Sequence, residues 1–436
     1  MSRVGSGFRL PAFPLPVRVG LAGWQFATQI GLPPPSLEEE NLIAVARKRT
    51  GLHHFGSDDF RRPMRRLLYA LEEEADLHLL GRAVMRTTII RALECRLRLE
   101  NWTDLQSEIS KTPVVAPVFI TGMQRTGTTK LHRLLSCAPE LRVLSAAEGL
   151  CPVPTGRPVR HDPAAERKRQ ALARTAERGM KYLSPALFAI HPIEAASPEE
   201  DVFLFDVTFV SPAVDATLAV ASYSKWIREI DPIPTYRYVR RLIQLLLWQT
   251  PGRYLGKTPH HQENLEALFA VFPDAKVIHT HREPMRVVPS FSSMMAHAGA
   301  LLSRKVDPNE VGRRVVDQMA NSVERAIAAR AEIPADSILD VDYEDLVERP
   351  LVEMERIHDF LGLEWSADAQ SRTQTWLAAN PQHKYGTHRY ELADFGLDEG
   401  EIDARFKRYR EYFRLPGIRQ ASGSGREGIS RGCSVS

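Results

Sequence analysis

The sequence predicts an α/β fold in which a parallel β-sheet is covered by helices on both faces, with an additional helical lobe at the N-terminal side. Two observations support this prediction. Short apolar segments alternate with longer helical segments, a pattern typical of parallel sheets. The first apolar segment, residues 114–120, leads directly into a turn rich in Gly and Thr and then into a helical pattern. A continuous apolar strand of this kind is expected at the buried centre of a sheet.

The chain divides into regions of different composition. Residues 1–35 are rich in Pro and Gly, which predicts an irregular arm, and residues 36–110 carry leucines at helical spacing, which predicts a helical lobe. Residues 111–416 form the predicted α/β domain, with a mostly helical insert at about 155–250. The last segment, 417–436, is rich in Gly and Ser and is predicted to be disordered.

Five segments of the α/β domain are predicted to be strands because they are short, apolar and separated by helical segments. They are residues 114–120, 142–144, 253–256, 275–280 and 338–341. The carboxyl ends of parallel strands meet at one edge of the sheet, and open α/β sheets bind their ligands there. Residues that directly follow these strands are therefore the first candidates for a functional site.

Composition argues against several classes of function. A formal net charge of +3 over 436 residues gives no indication of a nucleic-acid partner. The four cysteines show neither C-x-x-C spacing nor a disulfide framework, which favours a cytoplasmic location. No transmembrane segment is predicted, because the longest uncharged stretch near the start, residues 19–36, is interrupted by Gln and Pro. Its aromatic residues are expected to pack on the protein body, with peripheral membrane contact as the alternative.

The strongest motif is GMQRTGTT at residues 122–129, between the first predicted strand and the following helix. In this setting free backbone N–H groups and the positive end of the helix dipole converge on an anion. The two glycines allow a tight backbone path, the threonines supply hydroxyls and the arginine supplies positive charge. The candidate cofactor-binding residues of this loop are Gly122, Arg125, Thr126, Gly127, Thr128 and Thr129.

This loop differs from that of a nucleotide triphosphatase. The pattern G-x-x-x-x-G-K-[ST] requires a lysine where Thr128 stands, and no apolar strand ending in Asp follows to hold magnesium. Without these groups the usual neutralisation of charge during triphosphate hydrolysis is missing. The sequence therefore predicts phosphate binding without hydrolysis of a triphosphate.

Three segments resemble the sulfotransferases that use 3′-phosphoadenylyl sulfate (PAPS). RTGTT at 125–129 looks like the family's R-[ST]-G-T-T loop for the 5′-phosphosulfate. KVIHTHREP at 276–284, followed by Ser290, is similar to the element that binds the 3′-phosphate. VDYEDL at 341–346 resembles the segment whose tyrosine, here Tyr343, lies near the adenine. The 3′-phosphate distinguishes PAPS from other adenine nucleotides, and Arg282 with Ser290 could clamp it.

The resemblance covers about residues 114–395 and implies a P-loop-like sulfotransferase core, of a bacterial branch and similar to the tyrosylprotein enzymes. Such an enzyme moves a sulfuryl group from PAPS to a hydroxyl by in-line displacement. The expected acceptor is a small molecule, a glycolipid or another hydroxyl-bearing compound. The alternative is a non-catalytic protein that binds adenosine 3′,5′-bisphosphate.

Four residues are the candidates for catalysis. Glu148 follows the second predicted strand, and alignment with the tyrosylprotein enzymes implies that it is the base for the acceptor hydroxyl. Lys257 follows the strand 253–256 and is expected to neutralise the bridging oxygen of the leaving phosphate, with Arg125 as a second cation. His260 is the alternative base, because the cytosolic enzymes use a histidine just after this lysine.

Further polar residues are assigned by weaker signals. Lys384 and Arg389 are expected to close over the 3′-phosphate, as a late basic loop does in relatives. The acidic residues 199–201 are expected either to line the acceptor side or to cap the following helix.

No metal is expected, because Arg and Lys can neutralise the leaving group. His279 and His281 alternate on a predicted strand and therefore share a face, where an H-x-H pair can bind zinc. No third ligand is evident from the sequence, so we interpret the pair as packing or hydrogen-bonding residues.

Overall fold

Five strands form one parallel sheet in the computed structural model, which describes residues 10, 12–381 and 390–415. The strands are β1 (Val118–Gly122), β2 (Leu141–Val143), β3 (Arg253–Lys257), β4 (Lys276–His281) and β5 (Ile338–Asp342). Their order across the sheet is β2-β3-β1-β4-β5. The prediction of a parallel sheet is confirmed, and each strand overlaps a predicted segment.

The central strand β1 pairs with β3 on one side and with β4 on the other. It begins later than predicted because Pro117 has no N–H to donate and Ala116 adopts a φ of 41°. The backbone N–H of Ala116 instead binds the carboxylate of Asp274 at 2.6 Å. Residues 114–116 therefore do not extend the strand.

Helices cover both faces of the sheet. Phe119 of β1 belongs to an apolar cluster with Leu246 and Leu268, whereas its neighbour Ile120 belongs to a second cluster with Leu134 and Ile357. Successive side chains of a strand point to opposite faces, so these two clusters lie on opposite sides of the sheet. The predicted covering of both faces is confirmed.

The α-helices fall into three groups along the chain. Those before β1 are α1 (Leu15–Gln29), α2 (Glu39–Thr50), α3 (Arg61–Glu73), α4 (Leu79–Leu105) and α5 (Glu108–Lys111). Those between β1 and β3 are α6 (Thr128–Leu135), α7 (Ala146–Leu150), α8 (Pro163–Leu183), α9 (Pro185–Ile190), α10 (Val202–Asp206), α11 (Pro212–Thr217), α12 (Ala221–Glu229) and α13 (Ile233–Gln249). Those after β3 are α14 (Leu265–Val271), α15 (Pro284–Ala300), α16 (Pro308–Ala329), α17 (Tyr343–Glu348), α18 (Pro350–Leu361), α19 (Ala367–Ala379), α20 (Glu399–Arg405) and α21 (Lys407–Phe413).

The N-terminal helices share one apolar core with the insert. Leu42 of α2, Leu67 of α3 and Leu93 of α4 are buried in the same cluster as Tyr223 and Trp226 of α12. The lobe is therefore packed onto the insert.

The prediction of an irregular arm is wrong for residues 15–29, which form α1. The arm was predicted to be irregular because it contains several prolines. Pro14 and Pro16 lie at the N-cap and in the first turn of α1, where the missing N–H groups have no helical partner in any case. The predicted tail, 417–436, lies outside the described residues. Among the helices of the described residues, none is both long and apolar enough to cross a membrane.

Candidate active site

The loop between β1 and α6 has the compact path of an anion-binding turn. Gly122 and Gly127 adopt φ angles of 143° and 85°. A Cβ atom at Gly122 would lie 2.4 Å from the carbonyl oxygen of Thr280, and one at Gly127 would lie 2.8 Å from the ring of Tyr343. Only glycine allows β4 and α17 to approach the loop this closely.

The side chain of Thr126 holds this loop together. Its hydroxyl lies 2.6 Å from the carbonyl oxygen of Met123 and 2.6 Å from the hydroxyl of Thr280 in β4. Because both contacts are internal and the residue is fully buried, this hydroxyl stabilises the loop. Thr129, one turn further on, instead accepts a hydrogen bond from Lys257 at 3.3 Å.

Arg125 and Arg282 lie side by side at the loop. Nε of Arg125 donates to the hydroxyl of Ser290 at 3.2 Å, and a guanidinium nitrogen of Arg282 donates to the carbonyl oxygen of Arg125 at 3.1 Å. The guanidinium of Arg282 also stacks on Tyr343, 3.7 Å from the ring centroid. The three segments that resemble PAPS-binding elements therefore meet at one place.

This cluster retains capacity to bind an anion. Nε of Arg282 is buried and has no hydrogen-bond partner among the described residues. Burial lowers the pKa of Arg125, and the positive charge of Arg282 lowers it further, although Tyr390 and Tyr343 oppose this change. Two adjacent half-buried guanidinium groups are strongly stabilised by a bound phosphate.

Lys257 is the last residue of β3 and is 2% exposed. Its ammonium lies 2.5 Å from the carboxylate of Glu200 and 3.3 Å from the hydroxyl of Thr129 at the start of α6. An ammonium in this position links the phosphate-binding loop to an acidic group. Lys257 therefore lies where the sequence prediction requires it, next to the loop.

Glu200 was not singled out by the sequence analysis as a catalytic residue. It lies in the turn before α10, where Glu199 donates its backbone N–H to Leu144 and Asp201 donates its backbone N–H to Lys257. These bonds attach the acidic turn to the carboxyl ends of β2 and β3. The available signal was the run of three consecutive acidic residues in the insert.

Asp201 fixes the position of this turn. One carboxylate oxygen accepts a hydrogen bond from Tyr254 at 2.5 Å, and the other lies 3.1 Å from Nε2 of His261. A Cβ atom at Gly256 would lie 2.1 Å from this carboxylate, so the strand residue must be glycine. Asp201 is fully buried and orients its neighbour Glu200 towards Lys257.

Glu148 lies directly after β2, as predicted, but its carboxylate is already paired. It forms a capping box with Ser145 at the start of α7 and ion pairs with Arg142 and with Arg169, the latter at 3.5 Å. Burial would raise the pKa of Glu148, but the charge and hydrogen bonds of Arg142 outweigh burial and lower the pKa. In the described part of the chain, none of its hydrogen bonds or ion pairs reaches Lys257 or the loop 122–129.

His260 lies in a separate environment. Its Nδ1 is 2.9 Å from the carboxylate of Glu263 and its Nε2 is 3.3 Å from the side-chain amide of Asn264. The ring packs edge-on against Phe205 at 5.0 Å. Both ring nitrogens are therefore engaged by the segment Pro259–Asn264 that carries the histidine.

Lys384 and Arg389 lie outside the described residues, so their predicted role stays a prediction. The chain resumes at Tyr390, which is 5% exposed. Tyr390 acts to raise the pKa of Arg125 in the phosphate-binding loop.

The histidine pair of β4 has an acidic partner that the sequence analysis did not find. His279, His281 and Asp340 of β5 bring one ligand atom each within 4.8 Å of one another. However, Arg330 donates two hydrogen bonds of 2.7 Å to Asp340, and Nε2 of His279 lies 3.1 Å from the side chain of Gln262. A guanidinium already supplies the positive charge that a metal would bring, which supports a hydrogen-bonding role.

Glu199, the residue before Glu200, is expected to make stability depend on pH. Burial raises the pKa of Glu199 to about 7 from an ordinary 4.5, with the charge of Lys257 opposing and that of Glu200 adding to the shift. Its proton is held more tightly in the folded chain, so its stabilising contribution is complete below pH 4.5 and is lost as the pH rises through 7.

We therefore expect the free energy of unfolding of Glu199→Gln to fall less between about pH 5 and about pH 8 than that of the unaltered protein. Urea unfolding at a series of pH values measures this difference, which should reach roughly 1–3 kcal/mol. Glu364→Gln, which removes a carboxylate whose residue is exposed, is a matched control and should leave the pH dependence unchanged. Identical pH profiles for Glu199→Gln and the unaltered protein would contradict the prediction.

Comparisons with known proteins agree with this geometry. The profile described as "Sulfotransferase family" matches residues 117–367, more than half of the chain. The crystal structure of sulfotransferase STF1 from Mycobacterium tuberculosis H37Rv is 32% identical, with a TM-score of 0.74 over 85% of this chain and 98% of that chain. Sulfotransferase STF9 from Mycobacterium avium is 27% identical, with a TM-score of 0.78 over 87% of this chain and 98% of that chain.

A third relative has a named acceptor. The omega-hydroxy-beta-dihydromenaquinone-9 sulfotransferase Stf3 of Mycobacterium tuberculosis is 24% identical over 288 residues, which is 63% of this chain and 70% of that protein. The two similar structures cover a larger share of the chain than the family profile does.

Proposed function

The chain belongs to the sulfotransferase family and is a sulfotransferase, and from this premise we propose that PAPS is its donor and that Lys257 and Glu200 carry the transfer. One observation carries the proposal. The ammonium of Lys257 contacts both the start of the phosphate-binding helix and the carboxylate of Glu200. Such a pair provides one group for the leaving phosphate and one for the acceptor proton.

The donor nucleotide is assigned to the cluster around Arg125. Arg282 and Ser290 are proposed to bind the 3′-phosphate, because a guanidinium with an unused N–H and a helix-borne hydroxyl suit a dianion. Tyr343, against which Arg282 stacks, is proposed to lie near the adenine. Arg125 lies in the loop and also donates to Ser290, so it is proposed to contact both the 5′-phosphosulfate and the 3′-phosphate.

In the proposed reaction the acceptor oxygen attacks sulfur while the bond between sulfur and the bridging phosphate oxygen breaks. The acceptor proton passes to Glu200, and the negative charge that develops on the leaving phosphate is stabilised by Lys257. The products are a sulfate ester and adenosine 3′,5′-bisphosphate.

The ion pair links these two events. Burial would raise the pKa of Glu200, but Lys257 lowers it. As Lys257 turns its charge towards the leaving oxygen, it depresses this pKa less, so Glu200 becomes a stronger base during the transfer. A protein that only binds the nucleotide has no need of such a pair, which is why the non-catalytic alternative is not favoured.

In this proposal the base for the acceptor hydroxyl is Glu200 rather than Glu148. The carboxylate of Glu148 accepts hydrogen bonds from Arg142 and Ser145 and is ion-paired with Arg169, so it has little basicity left for an acceptor hydroxyl. We propose a structural role for Glu148, in which it holds α7 and the start of the insert. His260 is likewise proposed to position the segment after β3.

The proposed acceptor is a hydroxyl-bearing lipid-like molecule. The relative Stf3 is named for a hydroxylated menaquinone, which supports this class of acceptor without identifying it. The test is incubation of the enzyme with labelled PAPS and a panel of hydroxylated quinones, sterols, glycolipids, phenols and peptides. We expect transfer to a lipid hydroxyl. Transfer to peptides alone would overturn the assignment of the acceptor class.

We also expect the activity to be independent of metal ions. Lys257, Arg125 and Arg282 lie around the loop, and cationic side chains can stabilise the leaving phosphate without a metal. Enzyme treated with EDTA and assayed in metal-free buffer should keep its full rate of sulfuryl transfer. A loss of activity that zinc or magnesium restores would contradict this, and would redirect attention to His279 and His281.

A further inference from the structure

Helix α1 has two apolar faces, and the described part of the chain covers only one of them. α1 lies against α4, and Phe13 just before it contacts the ring of His78 edge-on at 5.4 Å. The face towards the protein carries Val17, Leu21 and Trp24, all half-buried. No residue of α1 is fully buried.

The opposite face is an exposed apolar stripe. It consists of side chains spaced three or four residues apart, which places them on one side of a helix. They are Leu15, Val19, Ala22, Phe26 and Ile30, and the four large ones are 68%, 64%, 62% and 71% exposed. Leu32, just beyond the helix, is 52% exposed. Exposed apolar patches of this length mark a binding surface.

A polar edge borders the stripe. Arg18, Gln25 and Gln29 are exposed and lie along one flank of the helix, between its two apolar faces. α1 contains no acidic residue at all. This arrangement suits a partner that has an apolar interior and a negatively charged surface.

We propose that the stripe on α1 inserts into the surface of an anionic phospholipid bilayer and brings the enzyme to its acceptor. A helix in this role lies in the plane of the interface with its apolar face among the acyl chains. In a free amphipathic helix the face opposite the membrane is charged. In α1 the opposite face packs against the protein body instead. The purpose of this binding rests on the proposed lipid acceptor, whereas the binding itself does not.

A second copy of the chain is a less suitable occupant. The largest apolar patch on a monomer typically covers about 300–600 Å², and this stripe is limited to four large side chains on one helix. A standard protein interface takes about 800 Å² from each partner. The polar flank also favours lipid, because Arg18 and the two glutamine amides match phosphate and glycerol oxygens.

The test is co-sedimentation of the full-length protein with vesicles of phosphatidylethanolamine and phosphatidylglycerol in equal parts. The combined variant Val19→Gln, Phe26→Gln and Ile30→Gln keeps helix-forming residues but removes the apolar stripe. We expect its partitioning onto vesicles to fall by roughly tenfold or more, because burial of apolar area drives such binding.

The matched control also changes three exposed apolar residues, but elsewhere. The control is Val115→Gln, Val352→Gln and Tyr412→Gln, at sites that are 64%, 55% and 47% exposed. It should bind vesicles like the unaltered protein. Both variants should keep their stabilisation by adenosine 3′,5′-bisphosphate, which shows that they fold and separates a failure of this inference from a failure of the proposed function.

Three results would overturn the inference. The first is that the unaltered protein does not sediment with the vesicles, and the second is that the α1 variant sediments equally well. The third is that light scattering shows a dimer which the α1 substitutions dissociate, a result that would assign the stripe to a second copy.

Discussion

Replacing Glu200 with glutamine should lower kcat by about 10²–10⁴-fold while leaving the affinity for adenosine 3′,5′-bisphosphate nearly unchanged. Glutamine keeps the shape of the side chain but cannot accept the acceptor proton. The effect should appear in the chemical step, because the carboxylate of Glu200 accepts a hydrogen bond from Lys257, whereas the 3′-phosphate is proposed to be bound by Arg282 and Ser290. Steady-state kinetics with labelled PAPS, together with a nucleotide titration, measure both quantities.

Glu148→Gln is the matched control, since it removes a second half-buried carboxylate near the ends of the strands. We expect the folded variant to keep near-normal kcat but to be less stable, because Arg142 and Arg169 lose a shared partner. Removing one member of a buried ion pair costs about 3–5 kcal/mol. The assignment would be contradicted if Glu200→Gln had normal turnover while Glu148→Gln or His260→Ala was folded but inactive. The base would then be one of the residues predicted from the sequence.

The pH profile separates the carboxylate from the histidine. With a pKa lowered by Lys257, Glu200 should keep kcat high below about pH 6, whereas a histidine base would be protonated there. Lys257→Ala should lower kcat and also move the acidic limb of the profile to higher pH, since Glu200 would lose the charge that depresses its pKa. An acidic limb that does not move in Lys257→Ala would contradict the coupling of these two residues.

The second large effect is expected for nucleotide selection. Adenosine 3′,5′-bisphosphate should raise the melting temperature much more than AMP does, and Arg282→Ala should abolish this difference. At a hundredfold excess over its dissociation constant a ligand stabilises the native state by about 2.7 kcal/mol. AMP lacks the 3′-phosphate that the unused N–H of Arg282 is proposed to bind, so it should stabilise the protein far less.

Thermal melts of Arg282→Ala and of Arg66→Ala, an exposed arginine on α3, test this assignment. The control should retain the full difference between the nucleotides. Ser290→Ala should reduce the difference only in part, because a hydroxyl contributes less than a guanidinium. Equal shifts from both nucleotides in the unaltered protein would remove the main support for PAPS as the donor.

The strands and the phosphate-binding loop could be predicted because their signals are local. A buried parallel strand is a short apolar run, and the turn after β1 needs glycine at positions where φ is positive. The arm was mispredicted for an equally local reason. Pro14 and Pro16 look like helix breakers until their place in the first turn of α1 is known.

The choice between Glu148 and Glu200 could not be made from the sequence. Glu148 follows a strand and was expected to be the base from the resemblance to the tyrosylprotein enzymes, whereas Glu200 lies 57 residues before Lys257 in an acidic run that equally suits a helix cap. Whether a carboxylate acts as a base depends on which cations surround it, and those come from distant parts of the chain. Arg169 reaches Glu148 from α8, and Asp201 fixes the turn of Glu200 through Tyr254.

By itself, therefore, the sequence determined the family, the order of the strands along the chain and the residues of the loop. Each of these depends on neighbouring residues and on their fixed spacing. Only the tertiary structure decided which carboxylate joins Lys257 and which apolar face of α1 stays uncovered. Both depend on contacts between segments far apart in the chain, and burial and charge at such contacts are properties of the folded chain alone.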